Sequence, residues 1–343
     1  MMRLSYEPVT VHTAHPFVIA RGGASEYARV RVRVADRDGV EGMGEAAPSP
    51  FYGETAQTVV AALEKLRPVV EAAEVWALED LEHALFRALR GNAAARMAIS
   101  AAMHDLVGKR LGVPLYRLWG LTPAAAPPSS FTIAIAPTAE ELVQRVEQAA
   151  AYPVLKVKLG TDRDDEIVRT VRGAAPGKVI RVDANAAWTP KQALATIERL
   201  ARYGVEFVEQ PLPPEDLAGL RFVRQRSALP IIADESCVTA ADIPRLAGAV
   251  DGINIKLAKC GGFREAHRMI ATARSHGMRV MMGCMIETSL GITAAAHLAP
   301  LLDDADLDGA ALLADDPHVG ATIEGGRIAI PDAPGLGVRL RGA

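Results

Sequence analysis

Five charged residues stand at the ends of short apolar runs, at a nearly constant interval. Lys156 lies in VLKVKLG, Asp183 in VIRVDANAAW, Glu209 in VEFVEQPL, Asp234 in PIIADES and Lys256 in GINIKLAKCGG. The steps between them are 27, 26, 25 and 22 residues. That interval suits one strand followed by one covering helix. A chain that repeats it lays strands side by side in parallel, and equivalent strand ends then point at one mouth. Three carboxylates flanked by lysines are therefore expected in one place.

The repeat extends in both directions. Eight short apolar runs occur: FTIAI (131–135), VLKVKL (154–159), VIRVDA (179–184), EFVEQ (206–210), PIIADE (230–235), GINIKL (252–257), RVMMGC (279–284) and ADLDGA (305–310). Most gaps carry a helical pattern, as in TPKQALATIERLARYG. Eight such units fit an α/β fold with a closed parallel barrel better than an open sheet. After the eighth run a helix is short or absent, and GGRIAIPDAPGLGVRL begins a strand and a Gly/Pro-rich tail.

The part before the barrel differs in kind. RVRVRVAD (29–36) alternates strictly, and Asp38-Gly39 makes a hairpin turn before VEGMGEAAP, so residues 3–47 read as a β-meander. The DRDG run lacks the further ligands of a calcium loop and is read as that turn. ARGGASEY (20–27), between the first two strands, reads as a surface loop or a lid. Residues 54–111 read as helices, with Pro68 expected to end or kink the first and Gly112 to cap the last. His83 and His104 fall on these helices and are read as surface or packed residues. The Pro/Ala run LTPAAAPPSS (121–130) marks a boundary. The expected division is an α+β capping domain over 1–122 and a barrel over 123–322, with the tail 323–343 returning to the cap.

Composition excludes several classes. Half the chain is hydrophobic, 23% is charged, and the net charge is −3. No nucleic-acid or strongly anionic partner is expected from that balance. No apolar run reaches the roughly 20 residues of a membrane span, and MMRLSYEPVT lacks the apolar core of a signal peptide. The three cysteines form no CxxC pair, and a reducing cytoplasm is the expected location. A homo-oligomer is expected only because such assemblies are common.

Three carboxylates from three strands suit Mg²⁺, one ion per subunit, held by Asp183, Glu209 and Asp234. No Cys/His set competes, which argues against zinc. Lys156 and Lys158 are two apart on one strand and share the interior face. Lys256 lies across the mouth. A buried lysine beside a cation has its pKa lowered toward the roughly 7–8 that suits a general base. One lysine on either side of a carbon acid predicts removal of a proton from one face and its return on the other. The ion then binds a carboxylate and stabilises the enolate formed next to it, with Lys156 adding positive charge. Lys259, in LAKCGG, is read as a solvated loop residue.

This set of residues resembles the enolase superfamily, in the branch of the muconate-lactonising enzymes, over nearly the whole chain. The resemblance rests on the KxK at 156–158, the Asp/Glu/Asp series and the lysine of NIKL. It implies a (β/α)7β TIM-like barrel with an N-terminal α+β capping domain. Within that branch the chain is similar to the dipeptide epimerases, such as those acting on L-Ala-D/L-Glu. MGCMIETSLGITAAAHLA (282–299) is similar to their seventh-strand loop and helix, and DADLDG (304–309) to their DxD.

The resemblance implies an isomerase that epimerises the C-terminal residue of a dipeptide, with Lys158 and Lys256 as the acid/base pair. Asp306 and Asp308 would bind the dipeptide ammonium, a role that two carboxylates one pleat apart suit physically. Thr132, Cys284 and Ile286 would line the dipeptide, and Asn185 would stand behind the metal ligands. Arg21 either pairs with a carboxylate of the substrate, favouring Ala-Glu, or is a solvated loop residue. The alternative is an N-acylamino-acid racemase or o-succinylbenzoate synthase on the same scaffold, whose substrates carry no ammonium. A metal-free Schiff-base aldolase using Lys158 or Lys256 is a rival of another class.

Overall fold

The computed structural model describes residues 2–342. The alternating run does what its period predicts. β1 (Arg3–Ile19) and β2 (Gly22–Ala35) form a long antiparallel hairpin, and β3 (Glu41–Ala46) pairs with β2 beyond the Asp38-Gly39 turn. The segment 20–27 is part of the hairpin and not an irregular loop. Only Ala20 and Arg21 make the turn, and the pairs Ile19–Gly22 and Phe17–Ala24 carry the hairpin to its tip.

α1 (Ala56–Ala72), α2 (Leu78–Ala88) and α3 (Ala93–Leu111) pack on this sheet. The approach of α3 to β3 is close because both contact points are glycines. A Cβ on Gly42 would lie 1.9 Å from the Ala102 carbonyl oxygen, and one on Gly44 would lie 2.0 Å from that of Ala98. Gly112 caps α3 in the left-handed region, as expected. Pro68, in contrast, lies inside α1 and does not end it. Pro68 is exposed, and the interior bond it removes is the one to the Glu64 carbonyl, also on the exposed side. Val70, fully buried two residues on, keeps the helix packed.

After α4 (Leu115–Leu118) come eight parallel strands in chain order. They are β4 (Phe131–Ile133), β5 (Val154–Lys158), β6 (Val179–Asp183), β7 (Val205–Glu209), β8 (Ile231–Ala233), β9 (Gly252–Ile255), β10 (Arg279–Gly283) and β11 (Asp304–Asp306). The ring closes between its first and last strands, where the Ser130 N–H donates to the Ala305 carbonyl at 2.9 Å. Between the strands run α5 (Ala139–Gln148), α6 (Asp164–Ala174), α7 (Pro190–Ala201), α8 (Leu217–Arg224), the short α9 (Ile243–Leu246) and α10 (Leu257–Cys260), α11 (Phe263–Ser275) and α12 (Ser289–Ala296). Among the described residues the only helical turn after β11 is a 3-10 turn at Gly309–Leu312, in line with the short or absent eighth helix expected from the sequence.

Strand β5 is buried along its whole length. Leu155 and Val157 join the core under the helices, which leaves Lys156 and Lys158 for the interior. Phe207, Ile232 and Met281 form a separate apolar cluster, and Arg181, Glu206, Arg279 and Asp304 form an ion-pair network beside it. The interior is thus plugged, and the strand ends open to one side only.

The tail makes two short pairs, β12 (His318–Val319) with β15 (Arg339–Leu340) and β13 (Thr322–Glu324) with β14 (Arg327–Ala329). It also reaches the helices of the N-terminal part. Asp105 Oδ1 accepts the Leu336 N–H at 2.7 Å, while its Oδ2 accepts the Met43 N–H at 2.8 Å and Lys109 Nζ at 2.7 Å. No helix among the described residues is long and apolar enough to cross a membrane.

Candidate active site

Strand register alone gathers the charged positions. Across β5, β6 and β7, Lys158 stands opposite Asp183 and Asp183 opposite Glu209. Thr132 is opposite Lys156, and Asp306 opposite Gly283. Asp183, Glu209 and Asp234 bring one carboxylate oxygen each to within 4.8 Å of one another, and all three are buried. Each faces a lysine. Lys158 Nζ lies 2.7 Å from Asp183 Oδ2, and Lys256 Nζ lies 2.9 Å from Asp234 Oδ2. Lys156 Nζ stands among the acids, 2.8 Å from Glu209 Oε2, 2.8 Å from Asp306 Oδ2 and 3.3 Å from Asp183 Oδ2. Lys158 and Lys256 sit at the ends of β5 and β9, the second and sixth of eight strands, on opposite sides of the barrel.

The electrostatics follow from burial set against these pairs. Burial pushes the acids up, yet Lys158 and Lys156 bring Asp183 below the ordinary carboxylate range. Lys256 and Lys259 do the same for Asp234. Glu209 is pushed up to about 7 by burial and by Asp183 beside it. Burial pulls Lys256 down, but Asp234 and Glu209 outweigh it and leave the lysine above its ordinary value. The protein's own charges therefore raise Lys256; the lowering expected from the sequence is that of a lysine beside a bound cation.

The donor set itself fits a hard divalent cation. It consists of carboxylate oxygens only, from three strands, with no Cys or His in it. Glu209 Oε2 is buried and accepts no hydrogen bond, although Lys156 Nζ is 2.8 Å away: the contact is one of charge, without hydrogen-bond alignment.

A cavity of about 300 Å³ opens above these acids. Its wall includes Thr132, Lys156, Lys158, Lys256, Cys284, Ile286, Asp306, Asp308 and Arg21, so every other site residue read from the sequence meets there. Asp306 is held by Lys156 and by Ser130 Oγ at 2.6 Å. Asp308 accepts the Thr132 N–H at 2.6 Å and lies 3.3 Å from its Oγ1. The two carboxylates part in pKa. Burial raises Asp306, but Lys156 and Lys158 bring it below its ordinary value; burial and then Asp306 push Asp308 up to about 7. Cys284 is raised well above an ordinary thiol by burial and by Asp308, so it is no ready nucleophile.

Two sequence readings are corrected. Lys259 is not solvated: its side chain is fully buried, and its ammonium lies 2.5 Å from Asp234 Oδ1. The one-turn α10, which starts directly after Lys256, folds it inward. Arg21 is no solvated loop residue either. It stands at the hairpin tip with Nη2 2.8 Å from Glu235 Oε1 and Nη1 2.7 Å from the Asn185 carbonyl, its guanidinium 4.4 Å from the Phe51 ring centre.

Other participants left no periodic signal. Asn254 Nδ2 donates to Glu209 Oε1 at 2.8 Å, and Gln210 Oε1 accepts the Asp234 N–H at 2.8 Å. Asn185 does stand behind the acids, its N–H 2.8 Å from Asp183 Oδ1. Asn185, Ala186 and Gln210 all have positive φ (46°, 65° and 33°). These rare conformations fall within three residues after Asp183 and directly after Glu209, where backbone strain is expected to collect.

The comparisons agree with this geometry. Residues 4–120 match the mandelate racemase/muconate lactonizing enzyme N-terminal domain, and residues 138–343 match the enolase C-terminal domain-like family. The chain belongs to the mandelate racemase/muconate lactonizing enzyme family of the enolase superfamily. It is 40% identical to the L-Ala-D/L-Glu epimerase of Bacteroides thetaiotaomicron over 338 residues, 98% of this chain and 88% of that protein. Among solved structures it is similar to the dipeptide epimerase of Enterococcus faecalis V583 complexed with Mg and L-Leu-L-Tyr (TM-score 0.93, 33% identity, 98% of both chains). It is also similar to the substrate-liganded L-Ala-D/L-Glu epimerase of Bacillus subtilis (TM-score 0.93, 32% identity, 98% of both chains).

Proposed function

We propose that this protein is a Mg²⁺-dependent dipeptide epimerase that interconverts L,L- and L,D-dipeptides at the C-terminal residue. The observation that carries the reading is one cavity walled by two lysines from opposite strands, with a pair of carboxylates, Asp306 and Asp308, on the same wall. The names of the relatives share the dipeptide and differ in its side chains.

Asp183, Glu209 and Asp234 hold one Mg²⁺ per chain. The ion supplies positive charge for the substrate carboxylate and for the negative charge that develops there as the α-proton leaves. Lys158 and Lys256 flank the α-carbon. One takes the proton and the other returns a proton on the opposite face, which inverts the centre; in the reverse direction they exchange roles. Lys156, fixed among the acids, adds positive charge close to the same carboxylate. The dipeptide ammonium goes to Asp308 and Asp306. Asp306 already carries Lys156, so Asp308 is the less committed acceptor, and an arriving ammonium favours its ionised form. Thr132 holds Asp308 in place, Cys284 and Ile286 line the dipeptide, and the hairpin tip with Arg21 covers the mouth.

We assign residues 1–122 to the cap, 123–322 to the catalytic barrel and 323–343 to a tail that ties them together. Three free cysteines, two of them buried, fit a reducing compartment, and we place the protein in the cytoplasm. Proton NMR of a pooled L,L-dipeptide library in D₂O with Mg²⁺ tests the function. Loss of the C-terminal α-proton signal in a subset, abolished by EDTA, is the expected result. Exchange of N-succinyl amino acids with no dipeptide exchanging would replace this reading with the racemase.

A further inference from the structure

Each of the three clustered acids has one oxygen held from outside and one turned to a lysine at the cavity. Asp183 Oδ1 accepts the Asn185 N–H at 2.8 Å, and its Oδ2 faces Lys158. Glu209 Oε1 accepts Asn254 Nδ2 at 2.8 Å, and its Oε2 faces Lys156. Asp234 Oδ1 contacts Lys259 Nζ at 2.5 Å, and its Oδ2 faces Lys256 at 2.9 Å. Of these outer partners only Lys259 is charged. Its ammonium also lies within 2.6 Å of the Asp234 carbonyl, 2.9 Å of that of Asn254 and 3.1 Å of that of Cys237. Three N–H groups among four acceptors, with a fully buried side chain, leave Lys259 nowhere to swing.

Lys256 and Lys259 are three residues apart on one helical turn and grip the two oxygens of one carboxylate. They differ in freedom, because Lys256 reaches the cavity and Lys259 does not. We propose that Lys259 is a positioning residue: a permanent counter-charge on Asp234 that leaves Lys256 free to serve the substrate. Without it, Lys256 is the one remaining cation within ion-pair distance of Asp234 among the described residues. Asp234 then draws Lys256 to itself and away from the α-carbon. This inference rests on the two-lysine reading above.

The sign of each effect separates this role from a merely structural one. Removing a positive charge beside the acids makes their cluster more negative, so a divalent cation binds as tightly or more tightly. A lysine needed only to shape the cluster would give weaker binding when lost. Proton exchange at the face served by Lys256 falls, and exchange at the face served by Lys158 is spared.

The experiment compares Lys259→Met and Lys259→Gln with the wild type. Mn²⁺ binding to the metal-free proteins is followed by the EPR signal of free Mn²⁺. Deuterium wash-in is followed separately for an L,L- and an L,D-dipeptide, with Lys256→Ala identifying the face that belongs to Lys256. Both variants should bind Mn²⁺ at least as tightly as the wild type and lose exchange roughly 10- to 100-fold at that face alone, less than the roughly 10²- to 10⁴-fold of losing the general base itself. Mn²⁺ binding weakened tenfold, equal loss at both faces, or wild-type exchange in the uncharged Gln variant each overturns the proposal. If the Met variant does not fold, the Gln variant decides alone. If neither folds, the lysine belongs to the fold and the proposal fails. With Lys259 intact, Lys158→Ala and Lys256→Ala variants that do not act on opposite epimers would instead refute the two-lysine reading itself.

Discussion

Asp308→Asn separates the ammonium-binding reading from its rival. Asparagine keeps the shape and can still accept the Thr132 N–H, now held at 2.6 Å, so only the charge is lost. A hydrogen bond to a charged partner contributes about 1.5–3 kcal/mol. At about 1.4 kcal/mol per tenfold, kcat/KM on dipeptides should fall about 10- to 100-fold. Stability should move the other way. Burial first, then Asp306, push the Asp308 carboxyl from 3.8 to about 7. The unfolded chain releases this proton near 3.8 and the folded chain holds it to about 7. Between those values the folded state binds more protons, so stability falls as pH rises from about 4 to 7. The interval is about 3 pH units, which converts to a cost on the order of 4 kcal/mol above pH 7. The variant lacks that cost, so its Tm should exceed that of the wild type at pH 8 and match it near pH 4. The assay measures kcat/KM on an L,L-dipeptide and on an N-succinyl amino acid, with thermal melts at both pH values. Equal loss on both substrates, or dipeptide kcat/KM within twofold of wild type, would refute the reasoning.

Lys158→Ala and Lys256→Ala should each abolish α-proton exchange from one epimer, by roughly 10²- to 10⁴-fold, and spare the other. NMR wash-in checks this, and equal loss from both epimers would contradict opposed lysines. Removing Mg²⁺ with EDTA should lower the Tm, because an ion at 100 times its Kd stabilises by about 2.7 kcal/mol; calorimetry that shows no shift would speak against the three acids as its site. Arg21→Ala leaves Glu235, whose side chain is 2% exposed, without its cation. We expect kcat/KM to fall about tenfold for neutral and acidic dipeptides alike, within the roughly 1.5–3 kcal/mol of a charged hydrogen bond. A loss confined to Ala-Glu would instead make Arg21 the reader of an acidic side chain.

The barrel was legible because its period is written in residues that contrast with their surroundings. A lysine or aspartate in a run of Val and Ile is visible, and the spacing of such residues sets the register. Asp306 and Asp308 stand out less in their acid-rich run, and it was the resemblance to the DxD of the dipeptide epimerases, set on the eighth run of the barrel, that pointed to them. The spacing missed Lys259 because no period describes a one-turn helix; LAKCGG reads as a loop until the turn after Lys256 folds the side chain inward. Asn254 and Gln210 were missed because amides in strand ends have several common uses. Arg21 and Glu235 are 214 residues apart, and only the docking of the hairpin on the barrel pairs them. Pro68 failed as a stop signal because its cost falls on the solvent side of α1, where water satisfies the freed carbonyl.

Asp105 gives the fold an order in time. It joins the N–H groups of Met43 and Leu336, so a group made early finds its last partner 231 residues later. While the chain is being made, the cap helices can meet their own sheet, but this buried carboxylate has one oxygen without its partner. The barrel strands must all have emerged before the segment around Leu336 arrives to fill that position. Assembly of the mouth, which needs cap and barrel together, is thereby placed after the segment around Leu336 has been made, and an intermediate that lacks this segment would have no working site.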